Sequence, residues 1–179
     1  MKKIILTLIL AFAVNSANAQ NFDVKTIATV DLKKIVDESK AAKAAEEEVK
    51  RIQQKYVSET KSQEDALKKN EEQLKAQQKA MSQEAFAKKV QEFRVKLMNS
   101  QREVMKKRKI LETAYIKALE LVRNETIKII AEIAKEKNVD VVIAKGQLLF
   151  AKDNYDISNE VLERLNKKLA KVNISVDKK

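Results

Sequence analysis

Ninety-eight consecutive residues, Lys40 to Lys137, contain neither Pro nor Gly, and few folds accommodate such a stretch. At about 1.5 Å of rise per residue, Lys40 to Ala80 alone would reach about 60 Å as one helix, several times the ordinary length in a globular protein. The one local interruption is Met81-Ser82-Gln83, where Ser82 is suited to cap a second helix. Residues 40–137 are therefore expected to form two long helices folded back on each other as a projecting arm, with a turn near 81–83. One uninterrupted helix dimerising in parallel is the competing arrangement.

The apolar spacing describes the contact between the two halves. In the second half Phe86, Val90, Phe93, Leu97, Ser100, Val104, Lys107, Leu111, Ala114, Ala118 and Leu121 recur at alternating steps of four and three, which is a heptad seam. The first half gives Ala42, Ala45, Val49, Ile52 and Tyr56, then shifts phase to Thr60, Gln63, Leu67, Asn70, Leu74, Gln77 and Met81. The two successive steps of four at Ile52, Tyr56 and Thr60 form a stutter that locally unwinds a left-handed supercoil. Thr60, Gln63, Asn70, Gln77, Ser100 and Lys107 stand where a tight coiled coil carries Leu or Ile, so the hairpin is expected to be loosely zipped.

The chain opens with Met1-Lys2-Lys3, an apolar run from Ile4 to Val14, and the small-x-small triplet Ala17-Asn18-Ala19 before Gln20. That order is the pattern of a secretory leader over 1–19, cleaved after Ala19. The run is shorter than the twenty or so residues a membrane-spanning helix needs. The expected location is the periplasm of an organism with an outer membrane. The absence of Cys excludes a lipid-bearing cysteine, disulfides and thiolate metal sites.

Without the leader the chain carries +9, and +7 of it lies between Lys61 and Lys109, where 14 Lys and Arg face 7 Asp and Glu. A basic distal arm favours anionic partners, among them acidic polypeptide and, transiently, anionic lipid head groups. Nucleic acid is the less expected partner. The run Lys106-Lys107-Arg108-Lys109 points in four directions on a helix and cannot line one groove.

On either side of the arm the pattern changes. Thr26 to Asp31 reads as a short strand, and Leu32 to Glu38 as a turn or two of helix before Ser39 caps the long one. Val139 to Ala144 and Gln147 to Ala151 read as two strands joined at Lys145-Gly146, a tight hairpin in which the protein's one Gly is expected to take a positive φ. Asp156-Ile157-Ser158-Asn159-Glu160 then starts a helix with Ile157, Val161, Leu162, Leu165 and Leu169 on one face, and Val172 to Val176 is a last strand or a tail. Residues 20–39 and 138–179 thus build a compact cap of about sixty residues, marginal by itself and open at its strand edges. Oligomerisation through the cap is the remedy, with Ile27, Val30, Val141, Ile143 and Leu149 as candidate interface residues. The fold class is α+β, mostly α.

The sequence has no His, Cys or Trp and no Gly-rich loop. Imidazole acid-base chemistry, imidazole or thiolate metal ligation and a phosphate-cradling loop are thereby disfavoured. Carboxylate runs such as Glu46-Glu47-Glu48 sit on the arm as solvated helix surface. The expectation is a protein without catalysis, cofactor or metal.

The order of elements, together with Ile27-Ala28-Thr29-Val30-Asp31, Ser39-Lys40-Ala41-Ala42-Lys43, Ala134 to Ile143, Leu148-Leu149-Phe150-Ala151 and above all Asp156-Ile157-Ser158-Asn159-Glu160-Val161-Leu162, resembles the Skp (OmpH-like) family of periplasmic chaperones. The Lys145-Gly146 turn and the residues beyond Lys171 depart from the family's pattern. The resemblance implies a homotrimer whose short strands form one small shared β-barrel. Three helical arms would project from it around a cavity holding unfolded outer-membrane β-barrel precursors without ATP. In that frame Lys75, Lys79, Met81, Lys88, Lys89, Arg94 and Lys96 near the tip are candidate client-binding residues. A structural envelope spacer, or a basic nucleic-acid-binding coiled coil, is the alternative function for such an arm.

Overall fold

The computed structural model describes residues 24–176; the leader expected over 1–19 lies outside them. In chain order the elements are strand β1 (Ile27–Val30), helix α1 (Leu32–Glu38), helix α2 (Lys40–Gln77), a 3-10 turn at Gln78–Ala80, helix α3 (Gln83–Glu136), strand β2 (Val141–Ala144), 3-10 turns at Lys145–Gln147 and Asp153–Tyr155, and helix α4 (Ser158–Lys168). The 38 residues of α2 and 54 of α3 correspond to about 57 Å and about 81 Å of helix. Both run between local signals. Ser39 Oγ accepts from Ala42 N at 3.2 Å, and Ser82 Oγ from Ala85 N at 3.2 Å. Each satisfies one of the orphan donors of a first helical turn.

At the far end α3 stops in a Schellman arrangement, with Val139 N donating to Ala134 O at 2.8 Å and Asn138 in the left-handed region at φ 52°. Asn tolerates that conformation because its short polar side chain relieves part of the steric cost. Among the described residues Asn138, and not Gly146, is therefore the one with positive φ, which corrects the sequence expectation. The expected hairpin is absent for the same region: Lys145–Gln147 turns as 3-10 helix, residues 148–151 pair with no strand among the described residues, and β2 pairs with β1. The pairing is parallel, Ile27 opposite Val141 through Val30 opposite Ala144. Parallel neighbours need a crossover connection, and here α1, the arm and its return form that crossover. The arm is an enlarged loop of a β-α-β unit.

The sheet's inner face, Ala28 and Val30, is buried against α1, α4 and the lower part of α3. Val30, at 3% exposure, belongs to this intrachain core and so is closed to a partner subunit. On α3 the buried positions are Leu111, Ala114, Ala118, Val122, Thr126, Ile129 and Ile133. Leu121, expected in the seam, is 56% exposed, while Val122 beside it is fully buried. Three steps of four from Ala114 to Thr126 rotate the buried stripe off the α2 contact and toward α1 and α4, where the coiled coil ends and globular packing begins. Beyond α4 the segment 169–176 has no regular structure, yet Val172 and Ile174 are buried in the core.

The start of α4 fastens the cap. Ser158 Oγ accepts from Asp31 N at 2.7 Å, Ile157 N donates to Thr29 O at 3.0 Å, and Asp156 Oδ1 accepts from Ser158 N at 2.8 Å. Burial pushes the Asp156 carboxyl up, but the Lys145 ammonium and the Ser158 donors outweigh it and hold it below its ordinary value. Asn166 Oδ1 accepts from Lys40 N at 2.8 Å, so α4 also caps the root of the arm.

Within the arm, the polar seam position Lys107 is explained by its partners. Its ammonium donates to Glu59 Oε2 at 2.7 Å and lies 5.4 Å from the centre of the Tyr56 ring, a combined ion pair and cation–π contact. The hydrogen bond to Glu59 raises the Lys107 pKa, and the same bond lowers that of Glu59.

Two outcomes are expected. Ile129→Ala, at a fully buried position, should cost about 2–5 kcal/mol in chemical denaturation, whereas Ile127→Ala two residues away, on the exposed side, should change little. For the ion pair, the Glu59 contribution is present above the ordinary 4.5 and lost as pH falls below it; that of Lys107 is present below 10.5 and lost above it. The loss of thermal midpoint in Lys107→Gln should therefore be largest between those limits and shrink, as pH is lowered through the acid limb, to the part that the Tyr56 contact supplies. A pH-independent loss would show that Lys107 acts through Tyr56 and packing, and not through Glu59.

Candidate functional site

An arm presents three surfaces: the seam between its helices and the two back faces turned away from it. Close to the cap the seam is dry, with Ala42, Ala45 and Ile52 of α2 buried together with Leu111, Ala114 and Ala118 of α3. Above the Glu59–Lys107 pair it opens into a groove of about 670 Å³ between Gln63, Leu67 and Asn70 on one helix and Lys96, Ser100 and Glu103 on the other. Nearer the tip Leu74, Met81, Phe86 and Phe93 are half-buried. The polar seam residues read in the sequence thus coincide with a widening between the helices.

The back faces differ in chemistry. On α2 the positions opposite the seam are Glu47, Gln54, Ser58, Lys61, Asp65 and Lys68, all exposed and all polar. On α3 the corresponding positions include Met98, Met105, Ile116 and Ile127, all exposed. Their intervals of seven, eleven and eleven residues are whole numbers of turns, so on a straight helix all four lie within about 40° of arc and about 200° from the seam. Arg94, Arg102, Lys109 and Arg123 share the stripe with Glu112 and Glu120, all exposed. Sequence reading missed these apolar residues because it sought one seam per helix, and a second stripe at turn-multiple spacing is visible only once the first is assigned. Val57, also exposed, lies on the flank of α2.

The tip residues singled out from the sequence divide. Lys79, Lys88, Lys89, Arg94 and Lys96 are exposed, with Lys89 and Lys96 lining a small groove between the helices. Lys75 is exposed too but pairs with Glu71 at 2.6 Å, which raises its pKa through that hydrogen bond. Met81 is half-buried at the turn.

In the cap, Ile27 and Val141 sit opposite each other on the outer face of the sheet and remain exposed, with Ile143 half-buried beside Thr29. Leu149 and Phe150 are exposed nearly in full. Ile27, Ile143, Leu148, Phe150 and Tyr155 border a groove of about 400 Å³ over the sheet. The Thr29 hydroxyl at its floor is buried without a hydrogen-bond partner, an uncommon state for a buried polar atom. Phe150 and Tyr155 were not among the sequence candidates.

A family model described as "Outer membrane protein (OmpH-like)" matches residues 26–165. A protein of Aquifex aeolicus (strain VF5), described only as uncharacterized, is 31% identical over 143 residues, which cover 78% of this chain and 85% of that protein. The solved structure of a Caulobacter crescentus CB15 protein assigned as an outer membrane chaperone (OmpH-like) superposes with a TM-score of 0.76 at 21% identity, covering 82% of this chain and 87% of that one. With a match running from the first strand into α4, and a fold shared over most of its length, the chain belongs to the OmpH-like family.

Proposed function

We propose that this protein is an ATP-independent chaperone of the periplasm that holds unfolded outer-membrane β-barrel precursors between helical arms and keeps them from aggregating. The observation that carries the reading is the contrast between the back faces. The α2 positions opposite the seam are polar, and the α3 face bears Met98, Met105, Ile116 and Ile127 among charged residues, mostly basic. Membership of the OmpH-like family, and the assignment of its Caulobacter crescentus structural relative as an outer membrane chaperone, point the same way.

Barrel precursors alternate apolar and polar side chains and are prone to aggregate in water. A stripe of isolated Met and Ile separated by charge binds such chains through many weak contacts, each apolar side chain adding about 1.5–3 kcal/mol when fully covered. Met adapts to irregular partners. Release stays possible because the stripe itself forms no deep groove around the client.

The assembly in this reading is a homotrimer joined through the sheet's outer face and the 148–150 segment, with the α3 stripes turned inward to a shared cavity. The exposed Ile27, Val141, Leu149 and Phe150 and the unpartnered Thr29 hydroxyl support burial there by another copy of the chain. The basic distal arms steer acidic clients and suit anionic lipid head groups in passing.

Three outcomes follow from this reading. Val141→Asp or Leu149→Asp should dissociate the trimer to monomers in light scattering, because a charge would be buried at the contact; a parent protein that is itself monomeric at micromolar concentration overturns the assembly. Replacing Met98, Met105 and Ile116 by Ser should leave mass and helicity unchanged but weaken protection of a urea-diluted barrel precursor several-fold, and equal protection refutes the stripe's role. Replacing Lys75, Lys79, Lys88, Lys89, Arg94 and Lys96 by Gln should slow capture at low salt, with the deficit closing as the Debye length falls below about 10 Å.

A further inference from the structure

The segment after α4 lies beyond the stretch matched by the family model, which ends at 165. Val172, Ile174 and Val176 alternate with Asn173 and Ser175, and the alternation is used: Val172 is 5% and Ile174 9% exposed, Val176 packs on the same core, and Asn173 and Ser175 face outward. The segment belongs to neither sheet strand nor helix. It runs across the base of the arm. On its α3 side it borders a groove of about 750 Å³ with Leu121, Ile127 and Lys128. On the α2 side Glu48 is held below its ordinary pKa chiefly by its hydrogen bond to Arg51 and, in smaller part, by the charge of Lys171. Leu121 and Ile127 remain exposed at the rim, and Ile127 is also the cap-proximal end of the apolar stripe on α3.

Period-two alternation of this kind marks a half-buried strand in general, and the strands of membrane β-barrels carry it over about ten residues. We infer that residues 171–176 are a built-in surrogate for such a segment: they occupy an apolar trench at the arm root that accepts extended, alternating polypeptide, and an unfolded chain of that pattern displaces them. The trench accepts one strand by side-chain burial, without adding to the sheet, and the exposed Leu121 and Ile127 give an incoming segment its first contact. The tail then sets a threshold, since a client must bury more apolar surface than Val172, Ile174 and Val176 do. The inference rests on the chaperone reading for the identity of the displacing chain, but not for the existence of the trench.

The test uses the full chain carrying Val172→Ser, Ile174→Ser and Val176→Ser, which frees the tail, and a labelled synthetic peptide of residues 170–179, with a control peptide in which the three apolar residues are made adjacent. The peptide should bind the variant at least tenfold more tightly than the parent, the control peptide should not, and an unfolded barrel precursor should compete for the site. Equal peptide binding to parent and variant, or a precursor that is held without displacing the peptide, overturns the inference. As a second arm, Asn124→Cys and Asn173→Cys, which border the same groove in a chain with no other Cys, are bridged by a short bis-maleimide. The bridged protein should hold the precursor several-fold less well than the unbridged one, and equal holding again overturns it, even where the Ser variant fails to fold. Should no form hold a precursor, the chaperone reading fails, and peptide binding alone decides whether the trench exists.

Discussion

The structure depends on the burial of one face of one helix. α3 runs from the tip of the arm into the cap without interruption, and Val122, Thr126, Ile129 and Ile133 on its last turns are fully buried against α1, α4 and the sheet. Because the same helix belongs to both parts, the arm's direction is set by globular packing at its root and not by a flexible linker. The seams around this contact are reinforced by charge: Arg164 bridges Glu136 and Glu160, and Lys168 meets Glu132 at 2.8 Å. Such exposed pairs contribute little individually; they orient α4 more than they stabilise it.

Away from the root the seam weakens in stages. Close packing of Ala and Ile gives way to the Glu59–Lys107–Tyr56 cluster, then to the polar groove above it. Small residues at the base allow the helices to approach closely, and the polar middle lets them separate without exposing a large apolar area. The seam is thus graded, closely packed at the root and open toward the tip.

The long helices were legible because their signals are local: no Pro or Gly for ninety-eight residues, Ser39 and Ser82 as caps, and steps of three and four between apolar residues. The cap was legible in composition but not in topology. Val139 to Ala151 carries two β-prone runs around a Gly, the ordinary mark of a hairpin, yet β2 takes its partner from 114 positions earlier, Val141 against Ile27. No local rule encodes that parallel pairing, and without a hairpin Gly146 needs no positive φ. Asn138 does, since it closes α3; Asn stands second to Gly at that position, and the nearby Gly drew the expectation of a positive φ to itself. The basic tip was readable from charge, whereas the apolar stripe on α3 and the buried tail emerged only when burial showed which face each residue occupies. Val30 was misplaced for the same reason: alternation along a four-residue strand does not say which side is inside.

The central claim is that the back face of α3 holds unfolded chains. The most direct measurement is site-specific photo-crosslinking to an unfolded barrel precursor from Met98, Met105 and Ile116 on α3, compared with Gln54, Lys61 and Lys68 on the polar back of α2. Crosslinks concentrated on the three α3 positions, and lost when the precursor is folded beforehand, are the predicted result. Equal yields from both helices, or crosslinks confined to α2, would contradict it.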